Sequence, residues 1–185
     1  MTVYLSPFNQ TRSFFVLGGY NESQYTRKLC MAIKRFLSAQ SELVCLVAAE
    51  NHSLQNRPEA AKINGCELYI AVRTGCSHDS RAKGTICYYH PNSDKSFELA
   101  VQIVESLTSL CPIASADEEP IVDGTRIYNT LSLTEIQLPH ELGMTPVLIE
   151  VNAHDNPKTC LWLINSINEI AGTIAGCLKA FANTK

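Results

Sequence analysis

Two stretches, CELYIAV (66–72) and TPVLIEV (145–151), carry unbroken apolar runs where a half-wet strand would alternate. Strands covered on both faces read this way, and they belong to largely parallel sheets with helices packed above and below. Three more strand patterns are TVYLS near the start, LVCLVA, and KGTICYYH, where Thr85, Cys87 and Tyr89 alternate against Ile86 and Tyr88. Helical patterns fall between them. NESQYTRKLCMAIKRFLSAQ presents Tyr25, Leu29, Ile33 and Phe36/Leu37 on one face, with Asn21 as its cap. SDKSFELAVQIVESLTSL is amphipathic, capped by Ser93 or Asp94 and closed off by Pro112. DNPKTCLWLINSINEIAGTIAGCLKAF reads as the longest helix, capped by Asp155 or Asn156 with Pro157 in its first turn. SLQNRPEAAKING is a weaker helix because Pro58 interrupts it, and Gly65 stops it. Strands alternating with helices predict a single α/β domain over residues 1–185. Its sheet is mostly parallel and twisted, of about five to six strands, with helices on both faces.

That order places ligands and chemistry at the carboxyl ends of the central strands. The third strand ends there in Arg73, Thr74 and Gly75, with Cys76 and His78 close behind. Segment 112–145 reads as irregular and long, the kind of loop that carries function or is an insertion.

Composition removes several classes. A net charge of -3 without any Lys/Arg run gives no electrostatic footprint for nucleic acid. No apolar run reaches membrane-spanning length, and the opening MTVYLSPFNQ lacks the basic and apolar regions of a signal peptide. Eight cysteines (30, 45, 66, 76, 87, 111, 160, 177) form no CxxC pair and no Cys/His metal spacing. Most lie in apolar stretches as small hydrophobes, which predicts free thiols in a reducing compartment.

Several segments together resemble the zinc-dependent N-acetylmuramoyl-L-alanine amidases of peptidoglycan, as found in bacterial autolysins, sporulation hydrolases and phage endolysins. The most specific piece is TPVLIEVNAHDNPKTCLW, an apolar strand ending in a glutamate, then His-Asp-Asn opening a helix with a tryptophan one to two turns in. Here those residues are Glu150, His154, Asp155, Asn156 and Trp162. YLSPFNQ resembles the Leu-Ser-Pro-Ser-Thr-Gln opening of a clostridial-type branch. GGYNESQY, AKGTICYY and TLSLTEI resemble further family segments in the same order.

The resemblance implies a site of two histidines and a glutamate around zinc, with a second glutamate for acid–base work. Glu22 falls at the glutamate ligand, although an acid in a first helical turn also suits the helix dipole. Glu150 falls at the catalytic glutamate. The first histidine position is held by Asn9 or Gln10, whose amides are poor zinc ligands. The second lies where the family reads Ala-Ile-His-Ser-Asn-Ala and this chain reads Ala71-Val72-Arg73-Thr74-Gly75-Cys76. A guanidinium has no lone pair to donate and repels a dication. His78 and His140 are the remaining histidines that a metal could recruit to the cleft. His154 is expected to support the start of the last helix. Arg73 is further expected either to pair with Glu22 and Glu150, replacing the lost cation, or to point into water.

The sequence therefore predicts a family member that acts on or recognises peptidoglycan, impaired in catalysis and without a cofactor. Partners are a muropeptide, and a protein partner or a second copy. It is made in a bacterial cytoplasm and reaches the wall by lysis or a non-standard route. The alternative is an active amidase with a non-standard zinc site that cleaves the N-acetylmuramoyl–L-alanine bond. A third reading makes Cys76 a reactive thiol, against the simpler account of it as a small residue beside the cleft.

Overall fold

The computed structural model describes residues 1–40, 42–76, 84–113, 119–127 and 131–184. In chain order the elements are β1 (Thr2–Pro7), α1 (Glu22–Gln40), β2 (Val44–Val47), α2 (Arg57–Ile63), β3 (Leu68–Gly75), β4 (Ile86–Tyr89), α3 (Asp94–Leu110), β5 (Ile121–Asp123), α4 (Leu138–Glu141), β6 (Thr145–Ala153), α5 (Pro157–Asn165) and α6 (Ile167–Asn183). The six strands form one sheet in the order β2-β1-β3-β6-β4-β5. Every neighbouring pair is parallel except β4 with β6, so the expected mostly parallel sheet is what forms.

Alternation along β3 and β6 sorts the core. Leu68, Ile70, Val72, Val147, Ile149 and Val151 face α1, α3 and α6, whose Leu29, Ile33, Leu99, Ile103, Ile174 and Leu178 are fully buried. Each such side chain contributes roughly 1.5–3 kcal/mol by leaving water. The opposite face is thinner: Tyr4, Tyr69, Ala71 and Leu148 pack beneath Ala61 of α2, Ile136 and Met144. Helices thus cover both faces, unequally.

The caps follow the sequence signals. Asn21 Oδ1 accepts from Gln24 N at 2.9 Å while Asn21 N donates to Gln24 Oε1 at 3.1 Å, a reciprocal capping box on α1. Ser93 caps α3, and Asn156 caps α5 through Lys158 N and Thr159 N.

Three expectations change. The long final helix is two helices bent by 73° at Ser166; the bend lets α5 hold the sheet edge while α6 crosses the α1/α3 face. Pro58 does not interrupt α2 but occupies its first turn, where its missing N–H has no intrahelical role, and Gly65 follows at φ +67. Segment 112–145 contains β5, a π-helix over Ser132–Gln137 and α4, elements too short for periodicity to reveal. Among the described residues no single helix is long and apolar enough to cross a membrane.

Candidate functional site

β1, β3 and β6 run parallel, so their carboxyl ends meet on one edge of the sheet. Arg73 and Glu150 are register partners on β3 and β6, and both project to the thinner face. Arg73 Nε stands 3.5 Å from Glu150 Oε2 as an ion pair, though the contact lacks hydrogen-bond geometry. The guanidinium carbon also lies 5.2 Å from the centre of the Phe8 ring. Arg73 therefore does not point freely into water; it is sandwiched between a carboxylate and an aromatic face.

Beyond Arg73 the register shifts, and Gly75 comes down against Glu150. A Cβ at Gly75 would sit 2.1 Å from Glu150 Oε1, so only glycine leaves room for this carboxylate. Glu150 is 7 % exposed, and the open cleft is walled instead by Arg73 above it.

Glu22 reaches the same edge from the first turn of α1. Its Oε1 accepts the Thr74 backbone N–H at 2.8 Å, and the residue is 2 % exposed. It is not the surface acid that favours a helix dipole. Burial pushes its carboxyl up; the Thr74 N–H and the Arg73 charge pull it down, and Glu150 adds a further upward push. Arg73 thus contacts Glu150 directly and acts on Glu22 through the field.

His154 forms the wall behind Thr74. Nδ1 lies 3.0 Å from Thr74 Oγ1, Nε2 lies 2.9 Å from Ser13 Oγ, and Phe15 stacks on the ring at 5.1 Å. Burial is the main cause that holds its pKa below the usual imidazole value, and Arg73 lowers it further. Its ring ties the end of β3 to loop 9–21.

A cleft of about 390 Å³ opens here, lined by Phe8, Gln10, Arg12, Ser13, Glu22, Arg73 and Leu131. Gln10 belongs to it. Asn9 lines the neighbouring pocket on the other side of Phe8. Cys76 is exposed at the rim, its thiol donating to Asp155 Oδ2 at 3.1 Å. His78 lies outside the described residues. His140 is not in the cleft: it stacks on His90 with ring centres 3.6 Å apart. His90 follows Tyr89, the partner of Val147 near the start of β6, at the opposite sheet edge. The antiparallel course of β4 carries His90 away from the cleft, and α4, which leads into the start of β6, holds His140 at that same edge.

Arg12, Ser13, Phe8 and Gly75 are site residues that sequence reasoning missed. Arg12 had one signal, a second cation two residues past Gln10 in the loop that leaves β1. Among the described residues no three of His, Cys, Asp and Glu come together as a metal-holding group. The cleft's own donors are one carboxylate, one amide and one hydroxyl beside two guanidinium groups, a set that does not make a zinc tripod.

The sheet order and a cleft at the carboxyl edge define an α/β domain with its candidate site at the ends of parallel strands. A family profile described as N-acetylmuramoyl-L-alanine amidase matches residues 12–180. The chain belongs to that family. Solved structures of similar fold include the catalytic domain of CwlV, an amidase from Bacillus (Paenibacillus) polymyxa var. colistinus, with a TM-score of 0.78, 16 % identity, and coverage of 100 % of this chain and 99 % of that one. An N-acetylmuramoyl-L-alanine amidase from Clostridium difficile 630 gives 0.80 and 18 %, over 100 % and 97 % of the two chains. The CwlD amidase from Clostridioides difficile, solved in complex with the GerS lipoprotein, gives 0.80 and 15 %, over 100 % and 99 %. No curated protein sequence matches.

Proposed function

We propose that this chain is a peptidoglycan-recognising member of the amidase family that keeps the groove and does not cut. The observation that carries the reading is the Arg73–Glu150 pair at 3.5 Å. By the resemblance, Arg73 stands at a histidine ligand and Glu150 at the acid–base glutamate. One substitution therefore withdraws a metal donor and also engages the carboxylate that would move the proton. Arg12 adds a second fixed positive charge to the same cleft. Two guanidinium groups disfavour a dication there and favour a ligand rich in carboxylates and hydroxyls, which a muropeptide is.

The chain is made in a bacterial cytoplasm; none of its eight cysteines forms a disulfide, which fits a reducing place of synthesis. A protein partner belongs to the proposal, since CwlD is solved with one.

Co-sedimentation with purified sacculi and release of new amino groups from them test the two halves of this reading. Binding without release is expected. Release that Glu150→Gln abolishes would instead establish an active amidase with a non-standard metal site. Neither binding nor release would end the wall reading.

A further inference from the structure

Phe8 separates the cleft from a second, larger pocket of about 510 Å³, within the size range of small-ligand sites. Its wall carries Arg27, Lys28 and Arg57 against one acid, Glu50. A local excess of positive charge is unexpected in a chain of net charge -3.

Arg57 is the informative residue. It is 2 % exposed, yet the acceptors it reaches are all neutral: Pro7 O at 2.6 Å, Ser6 Oγ at 3.0 Å and His52 O at 3.3 Å. Among the described residues no carboxylate lies within ion-pair distance of it. A desolvated guanidinium ordinarily has an anion beside it. The buried acid whose charge acts on it is Glu135, pushed up to about 7 by burial and drawn back down by Ser6, Arg57 and Tyr69. Arg27 shares itself between Ala48 O at 2.8 Å and Glu50 at 2.7 Å, and Glu50 is 77 % exposed, free to swing into water. Lys28 Nζ contacts the hydroxyl and ring of Tyr20.

We propose that this pocket is a carboxylate subsite, in which Arg57, with Arg27 and Lys28 at its mouth, takes a free acid group of the ligand whose body lies in the neighbouring cleft. The identity of that ligand rests on the muropeptide reading; the chemistry of the subsite does not. Pro7, Ser6 and His52 fix the guanidinium through Nε and Nη1, which leaves the Nη2 hydrogens as its donors for a carboxylate, and Phe8 lets one ligand span both hollows.

Calorimetric titration of the intact protein compares a soluble muropeptide bearing free stem carboxylates with the same compound carrying carboxamides. The free acid is expected to bind at least about tenfold more tightly, as for a charge-assisted contact. An Arg27→Gln/Lys28→Gln double variant, which leaves the buried Arg57 in place, is expected to lower that preference to about threefold, the remainder being the Arg57 contribution, and an undiminished preference would take Arg27 and Lys28 out of the subsite. Equal affinity for both compounds in the wild type overturns the subsite and leaves wall binding standing. Glutarate and inorganic phosphate, followed through the Arg57 Nε resonance by NMR, form an independent arm. A saturable shift with glutarate supports the subsite even if neither muropeptide binds, an outcome that would sink the wall reading alone. No shift, or a stronger one with phosphate, overturns the carboxylate assignment.

Discussion

Gly75 and Glu150 illustrate how tightly this site is set by single residues. In Gly75→Ala the new Cβ meets Glu150 Oε1 at 2.1 Å, and the carboxylate cannot swing away without drawing Oε2 from Arg73. A loss of about 2 kcal/mol is expected in urea unfolding, the usual scale for strain at a packed position. Glu150→Ala should recover most of it in the double variant, because the clash partner is then gone. Equal losses in the two backgrounds would place the strain elsewhere. Glu135 gives a pH prediction. Burial pushes its carboxyl up from 4.5 to about 7, so the fold favours the protonated acid. That contribution is complete below about pH 4.5 and is lost as pH rises to about 7, by roughly 3 kcal/mol. Glu22 shifts in the same direction, whereas His154, shifted down, contributes stability that is lost on acidification. The difference between wild type and Glu135→Gln isolates the first effect: the variant should gain on the wild type between pH 4.5 and 7. A flat difference would contradict it.

At the level of elements, β3 and β6 were legible because short continuous apolar runs, Leu68 to Val72 and Pro146 to Ile149, fit a strand covered on both faces. Caps were legible because they are local chemistry: Asn21→Ala should cost about 1 kcal/mol, measurable by thermal unfolding, since it removes the capping bond to Gln24. The bend at Ser166 was not legible. The apolar pattern of α5 and α6 runs on through it, and the break answers to packing at the sheet edge. The π-helix over Ser132–Gln137 was hidden for a related reason: it is one widened turn that directs Glu135 inward. Within the site, Arg73 was found by position and Glu22 by resemblance. Arg12, Gly75 and the double engagement of His154 depend on contacts between distant segments that spacing does not encode. His140 was misplaced because the late segment read as a loop, whereas α4 packs just before β6 begins, at the edge away from the cleft.

For the whole molecule, an amidase-family fold carries two buried glutamates and a buried histidine at its carboxyl edge, and the cleft beside them is lined by two arginines. If that is the physical content of the site, metal affinity should be missing in the native chain and should depend on those two positions. The direct measurement is zinc bound per chain after equilibration with a small excess and desalting, by elemental mass spectrometry. The native protein is expected to retain less than about 0.1 zinc per chain, and an Arg12→His/Arg73→His variant to retain far more, because imidazole supplies the donors a tripod needs. Close to one zinc per native chain, lost on Glu22→Ala, would contradict this and return the protein to the working amidases.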